Sequence, residues 1–78
     1  MRRIFEAERP SRQIPKQREY SARFFGDDGD EAWATREKDG SIYFRTMNYD
    51  KTFSDDSAFD TYITSQGWKY AGIDDSSY

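Results

Sequence analysis

The chain has no cysteine, no histidine, no leucine and no valine. Without cysteine, neither a disulfide nor a thiolate zinc site can staple a domain of only 78 residues. Without histidine or cysteine, the common general base and the common activated thiol are both missing. No catalytic residue, metal ligand or cofactor is therefore assigned, and the chain is not expected to be an enzyme. Without leucine and valine, the core falls to six Phe, six Tyr, two Trp, five Ile, two Met and a few Ala. Each aromatic side chain can bury about 150–250 Å², which offsets the missing aliphatics. Aromatic and β-branched residues favour strands, so a sheet is the expected platform. No apolar run approaches the ~18 residues of a membrane span. Met1-Arg2-Arg3 is followed by no apolar stretch, so no secretory signal is expected and the cytoplasm is the expected location.

What is present is charge, divided by position. Residues 1–23 hold seven basic and three acidic residues, a net +4, and residues 24–78 hold five basic and twelve acidic, a net −7. A basic arm on an acidic body points to electrostatic recognition of a large charged partner. Residues 1–18 contain Pro10 and Pro15 without sustained periodicity, and read as a flexible arm. Residues 19–73 read as one α+β domain and 74–78 as an acidic tail.

Within that domain, residues 19–25 read as a strand and 26–30 as a loop. Residues 31–38 and 41–49 read as a hairpin, because Asp39-Gly40 is a favoured pair for a two-residue type I′ turn. That turn would set Trp33 opposite Thr46, Thr35 opposite Phe44 and Arg36 opposite Tyr43. One face would carry Trp33, Thr35, Ile42, Phe44 and Thr46, and is the better core. A four-residue loop at 27–30 would add Tyr20, Ala22 and Phe24 to it. The other face would carry Ala32, Ala34, Arg36, Tyr43, Arg45 and Met47, joined by Arg23 and Phe25. Residues 55–66 read as a helix capped by Ser54, with Phe59, Tyr62 and Ile63 as one apolar stripe and Gly67 as its stop. Residues 68–73 read as a last strand. The expected fold is a small antiparallel sheet of three to four strands with one helix on one face, in the order β-β-β-α-β.

Two sets of residues are candidates for recognition. Asp27, Asp28, Asp30, Asp55, Asp56 and Asp60 would form an acidic surface fitted to a larger protein with a basic nucleic-acid-binding groove. Asp27 to Glu31 does not follow the calcium-loop pattern, since the twelfth position counted from Asp28 falls on Asp39. Arg23, Arg36, Tyr43 and Arg45 would form a second surface. Arg among aromatics on an open sheet serves a protein interface or a single-strand platform, or simply lays Arg stems over rings.

The segment from Trp33-Ala34-Thr35 through Glu37, Phe44, Tyr49, Thr52, Asp56 and Ala58 to Gly67-Trp68-Lys69-Tyr70 resembles the small podophage inhibitors of host RNA polymerase. The resemblance implies a hairpin-helix-strand core and a bacterial host cytoplasm. The chain departs from that family at Ala71-Gly72-Ile73-Asp74-Asp75, where the family carries an arginine pair. Two functions are thus expected. The first is a non-enzymatic inhibitor or modulator that occludes a nucleic-acid-handling machine, such as a polymerase, a CRISPR effector or a restriction or repair enzyme. The second is a small single-strand nucleic-acid binder using the Arg and aromatic face with the basic arm. The oligomeric state stays open.

Overall fold

The computed structural model describes residues 9–16 and 20–74. Strands β1 (Ser21–Phe25), β2 (Glu31–Arg36) and β3 (Ile42–Thr46) are joined by two turns of one design. In the first, Gly26 N–H donates to Asp30 O at 2.9 Å and Gly29 N–H donates to Gly26 O at 3.1 Å. In the second, Glu37 N–H donates to Ser41 O at 2.9 Å and Gly40 N–H donates to Glu37 O at 3.0 Å. Each is a three-residue loop ending on a glycine with positive φ, 91° at both Gly29 and Gly40. Such loops combine a type I turn with a left-handed residue that forms a bulge, and only glycine adopts that conformation without strain.

These turns correct the expected register. The expected two-residue turn put Trp33 opposite Thr46, but Trp33 pairs with Arg45, Ala34 with Phe44 and Arg36 with Ile42. The first loop is one residue shorter than expected, so Arg23 pairs with Trp33 and Phe24 with Ala32. A one-residue slip turns every side chain of a strand over. Here two slips cancel for β1 and β3 and leave β2 alone reversed. Ala32 and Ala34 are buried, while Trp33 and Thr35 turn to the opposite face.

The fold is α+β, with an antiparallel sheet and one helix among the described residues, as expected. Strand β4 (Asp50–Phe53) stands beside β3, so the sheet has five strands in the order β4-β3-β2-β1-β5. The strand expected over 41–49 ends instead at Thr46, and residues 50–53, to which no element was assigned, form β4. Thr46 makes the intervening turn. Its Oγ1 accepts from Asn48 N–H and Tyr49 N–H at 3.0 Å each and donates to Tyr49 O at 3.0 Å. Strand β5 (Lys69–Asp74) lines the far edge against β1, with a bulge where the register shifts between Arg23 and Phe24.

Helix α1 (Asp56–Gln66) crosses the inner face and buries Phe59 and Ile63. Its cap is Asp55, not Ser54: the Asp55 carboxylate accepts from Ala58 N–H at 2.7 Å. The helix ends at Gly67, φ 80°, as expected. A Cβ at Gly67 would lie 2.9 Å from Asp27 Oδ2, the movable end of an exposed side chain, so it is the backbone angle that calls for glycine there. The core is a set of edge-to-face rings: Phe59 lies 6.0 Å from Phe24, 5.9 Å from Phe44 and 5.5 Å from Phe53. Ala22, Ala32 and Ala34, each fully buried, leave room for those rings beneath the helix.

Part of the expected arm is packed. Residues Pro10–Gln13 form a short 3-10 helix, and Ile14 is buried with the core. Residues 1–8 and 17–18 of that arm, residue 19 of the expected first strand, and residues 75–78 of the expected tail lie outside the described residues. Asp74, assigned to the tail, closes β5.

The cap assignment gives a direct test. Asp55→Ala should cost about 1 kcal/mol in urea unfolding, the usual loss of an N-cap. Ser54→Ala should leave the midpoint unchanged.

Candidate functional site

The helix and the 3-10 segment cover one face of the sheet, and no described element covers the other. That open face is built in rows across the strands. Its central row runs Gly72, Arg23, Trp33, Arg45, Asp50, in the order β5-β1-β2-β3-β4. The Arg45 guanidinium lies 4.8 Å from the centre of the Trp33 ring. Arg23 sits 5.3 Å from the Phe25 ring and donates to Glu31 at 2.8 Å. In the next row, Ser21 and Thr35 share a hydroxyl hydrogen bond of 3.0 Å, with Tyr43 beyond them. Tyr43 O–H donates to Asp50 at 2.7 Å. This bond, followed by burial, holds the Tyr43 phenol above its ordinary pKa.

Three of the four residues expected on this surface are present on it: Arg23, Tyr43 and Arg45. Arg36 is not. It shares parity with Ala32 and Ala34, so it points to the helix side and belongs to a different site. There its guanidinium donates to Asp56 at 2.7 Å, to Gly40 O at 3.0 Å and to Ser11 O at 3.3 Å. Arg36 thus joins the second hairpin turn, the start of α1 and the 3-10 helix. Trp33 takes the place between Arg23 and Arg45 where the expected register put Ala34. The alternation Ala32-Trp33-Ala34-Thr35 is neutral about which face is inner. The matching Asp-Gly endings of the two turns, Asp28-Gly29 and Asp39-Gly40, are the signal that would have set it.

The six acidic candidates do not form one surface. Asp27, Asp28 and Asp30 lie at the first turn, beside Gly67 and Trp68 at the end of α1. There, with Tyr49 and Gln66, they line an open cleft of about 400 Å³. Asp55 and Asp56 lie at the other end of the helix, roughly 16 Å away at 1.5 Å per residue. Asp60 is withdrawn from any partner. It accepts from Ser11 N–H at 2.6 Å and from Ser11 Oγ–H at 3.0 Å, with Arg9 Nε at 3.5 Å. Its side chain is only 14% exposed. This carboxylate clamps residues 9–16 to the helix, a role its helical position alone does not reveal.

Two further titrating groups are structural. Asp39 is held below its ordinary pKa by the Ser41 hydroxyl and then the Ser41 N–H, which order the second turn. Tyr62 is pushed up to about 12, first by burial and then by its hydroxyl bond to Tyr49.

No helix of the described residues is long and apolar enough to cross a membrane. The chain matches no family model, no curated protein and no solved structure.

The Tyr62 shift has a defined sign. Below the ordinary phenol value of 10.0, folded and unfolded chains both keep the proton. Above it the unfolded chain releases the proton first, so stability falls as pH rises from 10.0 toward about 12. Denaturant unfolding across this window should show that loss, and Tyr62→Phe should make it shallower. An unchanged slope in Tyr62→Phe would contradict the assignment.

Proposed function

We propose that this chain is a non-enzymatic protein-binding module that inhibits or modulates a larger nucleic-acid-handling protein by occluding it. The observation that carries the reading is the open sheet face centred on Trp33 between Arg23 and Arg45. Trp, Tyr and Arg are the residues that dominate binding energy at protein interfaces. On this face they are already in register on rigid strands, so docking orders few side chains anew. Glu31 and Asp50 share the face and give it the mixed charge of an interface rim.

In this reading the sheet face anchors the complex. The turn at Asp27, Asp28 and Asp30 meets the basic edge of the partner's groove. Such charges act more on association rate and partner choice than on affinity. The likeness of residues 33–70 to podophage polymerase inhibitors points in the same direction. The alternative, a single-strand nucleic-acid platform, is favoured by the Arg45–Trp33 stack and opposed by Glu31 and Asp50, which repel a polyanion crossing the face.

Capture of tagged protein from bacterial lysate, with nuclease and with Trp33→Thr in parallel, tests the reading. Thr suits a half-buried strand position, and circular dichroism checks the fold. The wild type should retain a stoichiometric protein that survives nuclease. Trp33→Thr should weaken that partner by roughly 30-fold, as loss of a central aromatic anchor does. Equal retention by the variant, or bound material that disappears with nuclease, would overturn the reading.

A further inference from the structure

Arg45 differs from the other well-placed arginines of the fold. Arg23 bonds Glu31 at 2.8 Å and Arg36 bonds Asp56 at 2.7 Å. Among the described residues, no carboxylate or carbonyl accepts from Arg45. Its cross-strand neighbour Asp50 instead accepts from the Tyr43 hydroxyl at 2.7 Å. What holds Arg45 is the Trp33 ring, 4.8 Å from the guanidinium carbon. The ring contact holds the group from one side, and among the described residues its N–H donors keep no carboxylate or carbonyl acceptor, so they are left for another molecule.

We propose that the partner meets this face with an acidic side chain next to an apolar one. The carboxylate is received by Arg45, and the apolar group lies beside Trp33. This inference rests on the docking role proposed for the sheet face and names the chemistry that fills it. Closure of an interface over Arg45 removes water from the guanidinium, and a charge left there unpaired is strongly unfavourable. The occupant must therefore bring an acceptor. A carboxylate matches the planar donor fork in two parallel bonds. A phosphate matches it too, but a nucleic-acid strand brings a series of phosphates across the face, and it passes the carboxylates of Glu31 and Asp50. A protein segment can place a single carboxylate there and keep its neighbours apolar.

A random peptide library panned on the full-length protein tests this, with Arg45→Gln and Trp33→Thr as parallel targets and oligothymidylate as the nucleic-acid probe. Selected peptides should carry Asp or Glu beside an aromatic or aliphatic residue. They should bind Arg45→Gln at least ~10-fold more weakly, as loss of a charged interface anchor does. Peptides that lack acidic residues, bind Arg45→Gln as well as wild type and fail only on Trp33→Thr would overturn the carboxylate inference and leave the docking face standing. Selected peptides indifferent to both substitutions would overturn both. So would oligothymidylate binding that requires Arg45 and falls steeply with salt.

Discussion

The two three-residue turns ending on Gly29 and Gly40 are the constraint on which the rest of the molecule depends. They decide that β2 presents Ala32 and Ala34 inward and Trp33 outward. With alanines beneath it, the helix approaches closely enough for Phe59 to meet Phe24 and Phe44 edge to face. With tryptophan there instead, the same space would be overfilled, which is itself destabilising. The same choice exports the largest side chain of β2 to the open face. Core and candidate interface are thus two consequences of one register.

A chain without leucine, valine or cysteine also needs polar fasteners, and much of its charge is spent as such. Asp60 clamps Ser11 and Arg9, and Arg36 ties together the second turn, the helix start and the 3-10 segment. Asp55 caps the helix. These bonds explain why acidic residues that look alike in sequence have unlike surroundings. Asp60 is nearly covered, while the side chain of Asp27 is 80% exposed and its nearest cation, Lys69, stands 3.9 Å away.

Much of the fold was legible because its signals are local. Gly67 stopped the helix where a left-handed residue was needed, and Phe59 and Ile63 marked its buried stripe. The faces of β1 and β3 could also be read, although by two offsetting errors. The face of β2 could not, because its period-2 alternation is indifferent to the sign of the register. Strand β4 was hidden because its turn depends on the Thr46 side chain and contains no glycine. The candidate site inherited these limits. Arg23, Tyr43 and Arg45 lie on strands whose faces were read correctly. Arg36 and Trp33 lie on the strand that was inverted.

The open face therefore stands or falls with the pairing of β2 and β3. Cross-strand nuclear Overhauser contacts between backbone protons of the labelled protein test it most directly. The account predicts contacts between Trp33 and Arg45 and between Ala34 and Phe44. Contacts between Trp33 and Thr46 and between Ala34 and Arg45 would place Trp33 in the core, and would contradict both the packing and the interface built on it.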